Sequence, residues 1–307
     1  MKGAFYIDGE DMYLRFGAVF ISGGYDDILT FPALKDPDKN DWPEEDGVEV
    51  DLSDPKLSSK EITLDFFAED AFGFVDFVSK PEYHVFRISS LGREWKLRLS
   101  SQTDNSVWID STKFSLKFVE DSFERPEEYA PTSDCGVIIP KCSYEIDGVS
   151  LRDYGITVTE AKDEVLKSPT AKRNMLSQIQ TKDGQIYDVK QLFFSTKDVT
   201  FKCEMCADSI EQFWKCYDAF FYDLIQPEER ALYVGYTDEE YPCYYKKSSG
   251  FKILSLSGTV RISFSFTLVF TVFRIGETDY ILGSEDDERI VLEDDGETCI
   301  DMKYYAG

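Results

Sequence analysis

The chain has 307 residues, with 59 Asp and Glu against 33 Lys and Arg and a formal net charge of −26. That length is enough for two domains with cores of their own, and 42% hydrophobic with 15% aromatic content argues against wholesale disorder. The charge disfavours gripping DNA or an anionic membrane through a basic face.

The start, "MKGAFYIDGEDMYL", has one Lys, then acids, and no apolar core of signal-peptide length, so a cytoplasmic protein is expected. Seven cysteines without framework spacing suit a reducing compartment. "IDGEDMYLRFGAVF" (7–20) leads to a long acidic loop over residues 35–47, closed by Asp46-Gly47, a pair suited to the positive φ of a tight turn. Ile62, Leu64 and Phe66 alternate with polar residues, as do Trp95, Leu97 and Leu99, and Phe114, Leu116 and Phe118; each run predicts a half-buried strand. "EDAFGFVDFVSK" before Pro81 predicts a short helix.

Residues 124–140 carry three prolines and several acids and read as a connecting segment. Beyond it the pattern returns. Aligned at a constant offset of 137, residues 26–67 and 163–204 share ten identities in 42 positions. Among them are Leu29/Leu166, Pro32/Pro169, Lys35/Lys172, Asp46-Gly47/Asp183-Gly184, Asp51/Asp188, Lys60/Lys197 and Thr63/Thr200. "IDGVSLRDYGITVT" (146–159) answers residues 7–20, and residues 265–273 answer 113–123. A helix over "DSIEQFWKCYDAFFYDLI" would place Ile210, Phe213, Trp214, Tyr217, Phe221 and Leu224 on one stripe, with Asp208 or Ser209 as cap. Ile262 to Phe270 is the longest alternating run; the apolar stretch to Ile275 is too short to cross a bilayer.

The expected fold is therefore mainly β (α+β). It has two tandem homologous β-sandwich or partial-barrel domains, 1–123 and 143–275, each with one flanking α-helix. Residues 124–142 connect them. Residues 276–307 form a C-terminal β-hairpin extension turning at Asp295-Gly296.

Catalytic chemistry is hard to find. His84 is the single histidine, too little for a hydrolase triad or a His-rich metal site, and reads as a strand residue beside Phe86. Cys203 and Cys206 form a CxxC at an expected strand-to-helix junction, without a second pair at zinc spacing or a thioredoxin-like setting. Ser22 to Gly24 does not lead into a helix as a phosphate-cradling loop should. Acid pairs are too numerous for any two to be singled out as a glycosidase dyad. No catalytic, metal or cofactor site is assigned, and a non-enzyme is expected.

The opening of each repeat resembles the N-terminal module of tailed-phage distal tail and baseplate-hub proteins. There a short strand leads into an I-D/N-G-x-x-L-x-x-Y/F-G-I segment. Ile146-Asp147-Gly148, Leu151 and Tyr154-Gly155-Ile156 fit it; Ile7-Asp8-Gly9, Leu14 and Phe16-Gly17 fit with extra length between Gly9 and Leu14. The resemblance implies a tail-tube-like fold in a ring-forming adaptor between tail tube and tip. Its partners would be itself, as trimer or hexamer, and other tail proteins, with DNA passing an acidic lumen unbound. The chain would be found in the host cytoplasm during assembly and then in the virion tail. Loops 35–47 and 168–184 become candidates for contacts between neighbouring subunits. The alternatives are a receptor- or glycan-binding tail or surface module using an exposed Trp such as Trp42, and a carbohydrate-active tail enzyme.

Overall fold

The computed structural model describes residues 2–43, 45–107, 112–123, 129, 134–172, 181, 183–184 and 193–272. Residues 1–273 form one compact unit. Residues 274–307 are a second, which lies outside the described residues together with the hairpin expected at Asp295-Gly296.

The first repeat contains β1 (Phe5–Ile7), β2 (Glu10–Asp11), β3 (Val19–Phe20), the small β4 (Lys39–Asn40) and β5 (Glu49–Val50), then β6 (Lys60–Ala68), β7 (His84–Ile88), β8 (Arg93–Val107) and β9 (Thr112–Glu120). The second contains β10 (Tyr144–Ile146), β11 (Val149–Ser150), β12 (Ile156–Glu160), β13 (Lys197–Ala207), β14 (Arg230–Val234), β15 (Glu239–Ser255) and β16 (Val260–Phe270). Each repeat makes one antiparallel seven-stranded sheet, in the orders β2-β1-β7-β8-β9-β6-β3 and β11-β10-β14-β15-β16-β13-β12. Strand for strand, these are the same order. The protein is mainly β, built as two equivalent sheets.

Period-two burial explains why these segments are strands. Ile62, Leu64, Phe66 and Ala68 turn inward from β6, as do Ile262, Phe264, Phe266, Leu268 and Phe270 from β16. Each large side chain removed from water contributes about 1.5–3 kcal/mol. The long strands β8 and β15 bend each sheet: β8 pairs with β7 through residues 93–97, then with β9 from Arg98 onward. Its register shifts at Leu99/Ser101, and β15 shifts at the equivalent Tyr245/Lys247. Such bulges bend the strand that carries them and add local twist.

The main helices are α2 (Ala71–Val78) in the first repeat and α4 (Ile210–Leu224) in the second; α1 (Met12–Phe16) and α3 (Lys162–Leu166) are single turns absent from the one-helix expectation. The Asp70 carboxylate accepts from Gly73 N to start α2, and Ser209 Oγ accepts from Gln212 N to start α4. The stripe expected on α4 is apolar, but Cys216, Ala219, Phe220 and Tyr222 are buried as well. A helix buried nearly all round is enclosed on more than one side, and α4 is wedged between its own sheet and the first repeat.

Two details of the internal alignment are corrected. Leu14 is 62% exposed, whereas Met12 is fully buried and takes the place of Leu151. The first repeat makes this turn as an α-helix and the second as a 3₁₀ turn (Leu151–Tyr154), which absorbs the extra length before Gly17 and Gly155. At the other end, β6 sets Leu64 opposite Leu116 and β13 sets Phe201 opposite Phe266, so Leu116 corresponds to Phe266. Matching residues 113–123 to 265–273 in order misses this register by two. A two-residue slip keeps every side chain on its own face, so alternation alone does not detect it.

Candidate assembly surface

The shared residues of the two repeats do the same work twice. Lys60 Nζ donates to Ile28 O and Lys197 Nζ to Val165 O, tying the start of each long strand to the preceding turn. Thr63 N donates to the Asp27 carboxylate at 2.8 Å and Thr200 N to that of Glu164 at 2.9 Å. Leu34 bridges to Leu57 as Ala171 does to Phe194. In the opening motif, Asp8 and Asp147 both sit at positive φ, and their carboxylates accept from Val85 N and Ala231 N at 2.8 Å each.

One difference follows from this equivalence. Lys60 lies 3.1 Å from Glu120, but the residue at that place in the second repeat is Phe270, whose ring centre is 5.8 Å from Lys197 Nζ. Burial lowers the affinity of both lysines for their proton; Glu120 opposes the shift at Lys60, while Lys197 falls to about 8.

Where the repeats meet, the contact runs in one direction. The segment of residues 26–43 and 45–52 of the first repeat lies on β15 and α4 of the second and reaches Thr271, just past the end of β16. Phe31, 1% exposed, is its plug: its ring stacks on Phe221 at 4.5 Å and 7°, and meets Tyr217, Tyr222 and Tyr245 edge-on. Ser248 Oγ accepts from Phe31 N at 2.9 Å and donates to Phe31 O at 3.1 Å. Tyr217 Oη donates to Leu29 O, and Leu34 N to Lys246 O. Further on, Gly47 N donates to Phe194 O, Phe194 N to the Asp46 carboxylate and Val48 N to Thr271 O. Lys172 Nζ donates to the carbonyls of Trp42 and Gly47 and pairs with Asp41 at 2.6 Å.

A second bolt lies beside the plug. The Arg93 guanidinium grips both oxygens of Asp218 and lies 3.7 Å from the ring centre of Trp214, whose Nε1 donates to Leu91 O. A bidentate pair against an aromatic face fixes geometry more firmly than a lone surface ion pair. A cleft of about 610 Å³ borders this bolt, walled by Lys60, Trp95 and Glu120 from one repeat and Trp214 and Tyr222 from the other. Loop 35–47, expected to touch a neighbouring subunit, thus touches the neighbouring repeat.

The residues weighed for chemistry lie elsewhere. His84 is the first residue of β7, fully buried, with Nδ1 2.6 Å from the Asp8 carboxylate; its counterpart Arg230 pairs with Asp147 in the same way. It braces the opening turn. Cys203 and Cys206 lie within β13, not at a strand-to-helix junction, and three residues along a strand they point to opposite faces. Burial pushes the Cys206 thiol up to about 11 and that of Cys203 well above the ordinary range, the reverse of an activated thiolate. Among the described residues no group of three or more His, Cys, Asp or Glu is arranged to hold a metal, and no helix is long and apolar enough to cross a membrane.

Burial also raises the thiol pKa of Cys142 and Cys243 and the phenol pKa of Tyr154, Tyr217 and Tyr245. These groups hold their protons when folded and release them when unfolded, so stability falls as pH rises above about 9. Lys197 acts oppositely: from about 8 up to the ordinary lysine range the unfolded chain holds the extra proton, and stability rises with pH. Urea unfolding from pH 7 to 11 is expected to show a gentle rise toward pH 9 and then a steeper loss. Lys197→Met should reduce the first limb, leaving what Lys60 contributes to it, and leave the second unchanged.

The fold and its junction define a class: a mainly β protein of two equivalent sheets joined head to tail through an aromatic plug. No family model matches the chain, nor does any curated protein. A solved structure to which it is similar is Dit (gp 19.1) of phage SPP1, described as a paradigm of the hub adsorption apparatus in phages infecting Gram-positive bacteria. The identity is 8% and the TM-score 0.28, over 87% of this chain and 98% of that one. A likeness of that size fixes neither fold nor role, and the reading below rests on the repeats and their junction.

Proposed function

We propose that the chain is a non-enzymatic structural subunit of a phage or prophage tail, closing into a ring at the tail end as an adaptor between tube and tip. The observation that carries this is the one-way contact between two equivalent units. A surface that docks on a different surface of a like unit either closes into a ring or runs on as a filament. Three such chains would present six similar units, so a duplicated protein can meet a six-fold partner with three-fold symmetry; six chains would double that number. The opening motif in both repeats, which resembles that of distal tail and hub proteins, supports reading such a ring as part of a tail. The net charge of −26 suits a passage that DNA traverses without sticking.

The test is mass photometry and negative-stain microscopy at tens of micromolar, alone and with the tube protein of the same tail. Ring-shaped particles, in either sample, are expected. A monodisperse monomer in both would overturn the proposal. A second reading, glycan recognition, draws on Trp42, which is 53% exposed on loop 35–47. It predicts binding on a glycan array that Trp42→Ala abolishes.

A further inference from the structure

The contact inside the chain occupies only one docking segment and one docking face, while the duplication supplies two of each. The residue-by-residue equivalence identifies the unused pair. The segment equivalent to 26–52 begins at α3. Leu29 is 1% exposed beneath the second repeat, whereas its counterpart Leu166 is 41% exposed. Phe31 is buried, and its counterpart Ser168 is exposed. A side chain added at Gly47 would strike Thr271 O, 1.8 Å away; one added at its counterpart Gly184 meets nothing within 4 Å. The unused face is on β8 and β9. Tyr245 and Ser248 are buried under the docked segment; their counterparts are Leu99, half-buried, and Gln102, exposed.

We infer that the second repeat's segment, from Leu166 to Ala171 with the Asp183-Gly184 turn, docks on the β8–β9 face of the first repeat of another copy of this chain, repeating in trans the contact made in cis. This rests on the ring-forming reading and names the surfaces that close the ring. In the trans contact Ser168 meets Gln102, as Phe31 meets Ser248, and Lys35 takes the part of Lys172 beneath the turn. The chemistry of the two joints differs. The trans joint has a serine in place of the aromatic plug, and α2 ends too early to supply counterparts of Phe221 and Tyr222. Glu239 occupies the position equivalent to Arg93, so the guanidinium fork is missing as well. A joint of hydroxyl, amide and one leucine is weaker than the cis joint, so chains fold singly and close later.

Two experiments test this. First, Ser168→Cys with Gln102→Cys, oxidised by diamide in ring-forming conditions, should give covalent oligomers that stop at the closed ring. Each single variant and the parent, which has its own cysteines, should not. Second, Leu166→Asp should weaken ring formation at least tenfold while the monomer melts as before, because the leucine is exposed in the single chain. Rings of full size that form in Leu166→Asp, or that never cross-link through this pair, would overturn the inference and leave the proposed function standing. Absence of rings from the parent, with and without tube protein, would overturn both.

Discussion

Phe31→Ala is expected to destabilise the folded monomer by about 3–5 kcal/mol, the range for emptying a buried aromatic site. The ring is fully enclosed, stacked on Phe221 and bordered by three tyrosines. It is held at both ends of its own residue by Ser248, so neighbouring groups have little freedom to collapse into the space. Because the plug comes from one repeat and the socket from the other, the loss falls on their joint. Urea unfolding should therefore lose a single transition and show two, the repeats melting in turn. Ser168→Ala, at the equivalent and exposed position, is expected to change stability by no more than about 0.5 kcal/mol. A Phe31→Ala cost below about 1 kcal/mol would mean the repeats are held by something other than the plug.

The second large effect is expected at Gly47. Its φ of +72° lies in the left-handed region, where a side chain costs about 1–2 kcal/mol, and an added Cβ would also strike the Thr271 carbonyl. Backbone cannot move aside as a flexible side chain can. Gly47→Ala should therefore unseat the turn, breaking the bonds of Gly47 N to Phe194 O and of Lys172 to Gly47 O, and cost well over the strain alone. Limited proteolysis should show new cleavage within residues 35–48. Gly184→Ala is the matched control: φ is +83° but the space is open, so the monomer should lose only the strain. If the trans contact forms as inferred, that same variant should still impair ring closure, and the comparison separates folding from assembly.

Much of this was legible in residues. Alternation of Ile62, Leu64 and Phe66, and of Ile262 through Phe270, marked strands because a half-buried sheet demands period two. The offset of 137 revealed the duplication because Lys60/Lys197 and Thr63/Thr200 are held by the same turn in each repeat. Gly47 and Gly184 betrayed their turns through the positive φ they adopt. The two-residue register between β9 and β16 was hidden, since face and period are unchanged by it. Leu14 matches the motif by spacing while Met12 fills the core, because spacing does not say which residue of a helical turn faces inward.

The sequence by itself determined the class of fold and the doubling, both properties written in local pattern and in self-comparison. Only the tertiary structure decided that loop 35–47 lies on the second repeat, that Phe31 is the plug, and that Leu166, Ser168 and Gly184 stand open where their counterparts are covered. The physical reason is range. Period, propensity and turn chemistry act between residues a few positions apart, whereas the socket for Phe31 is assembled from a helix and a strand about 190 to 217 positions further along the chain. Nothing near Phe31 in the sequence records it.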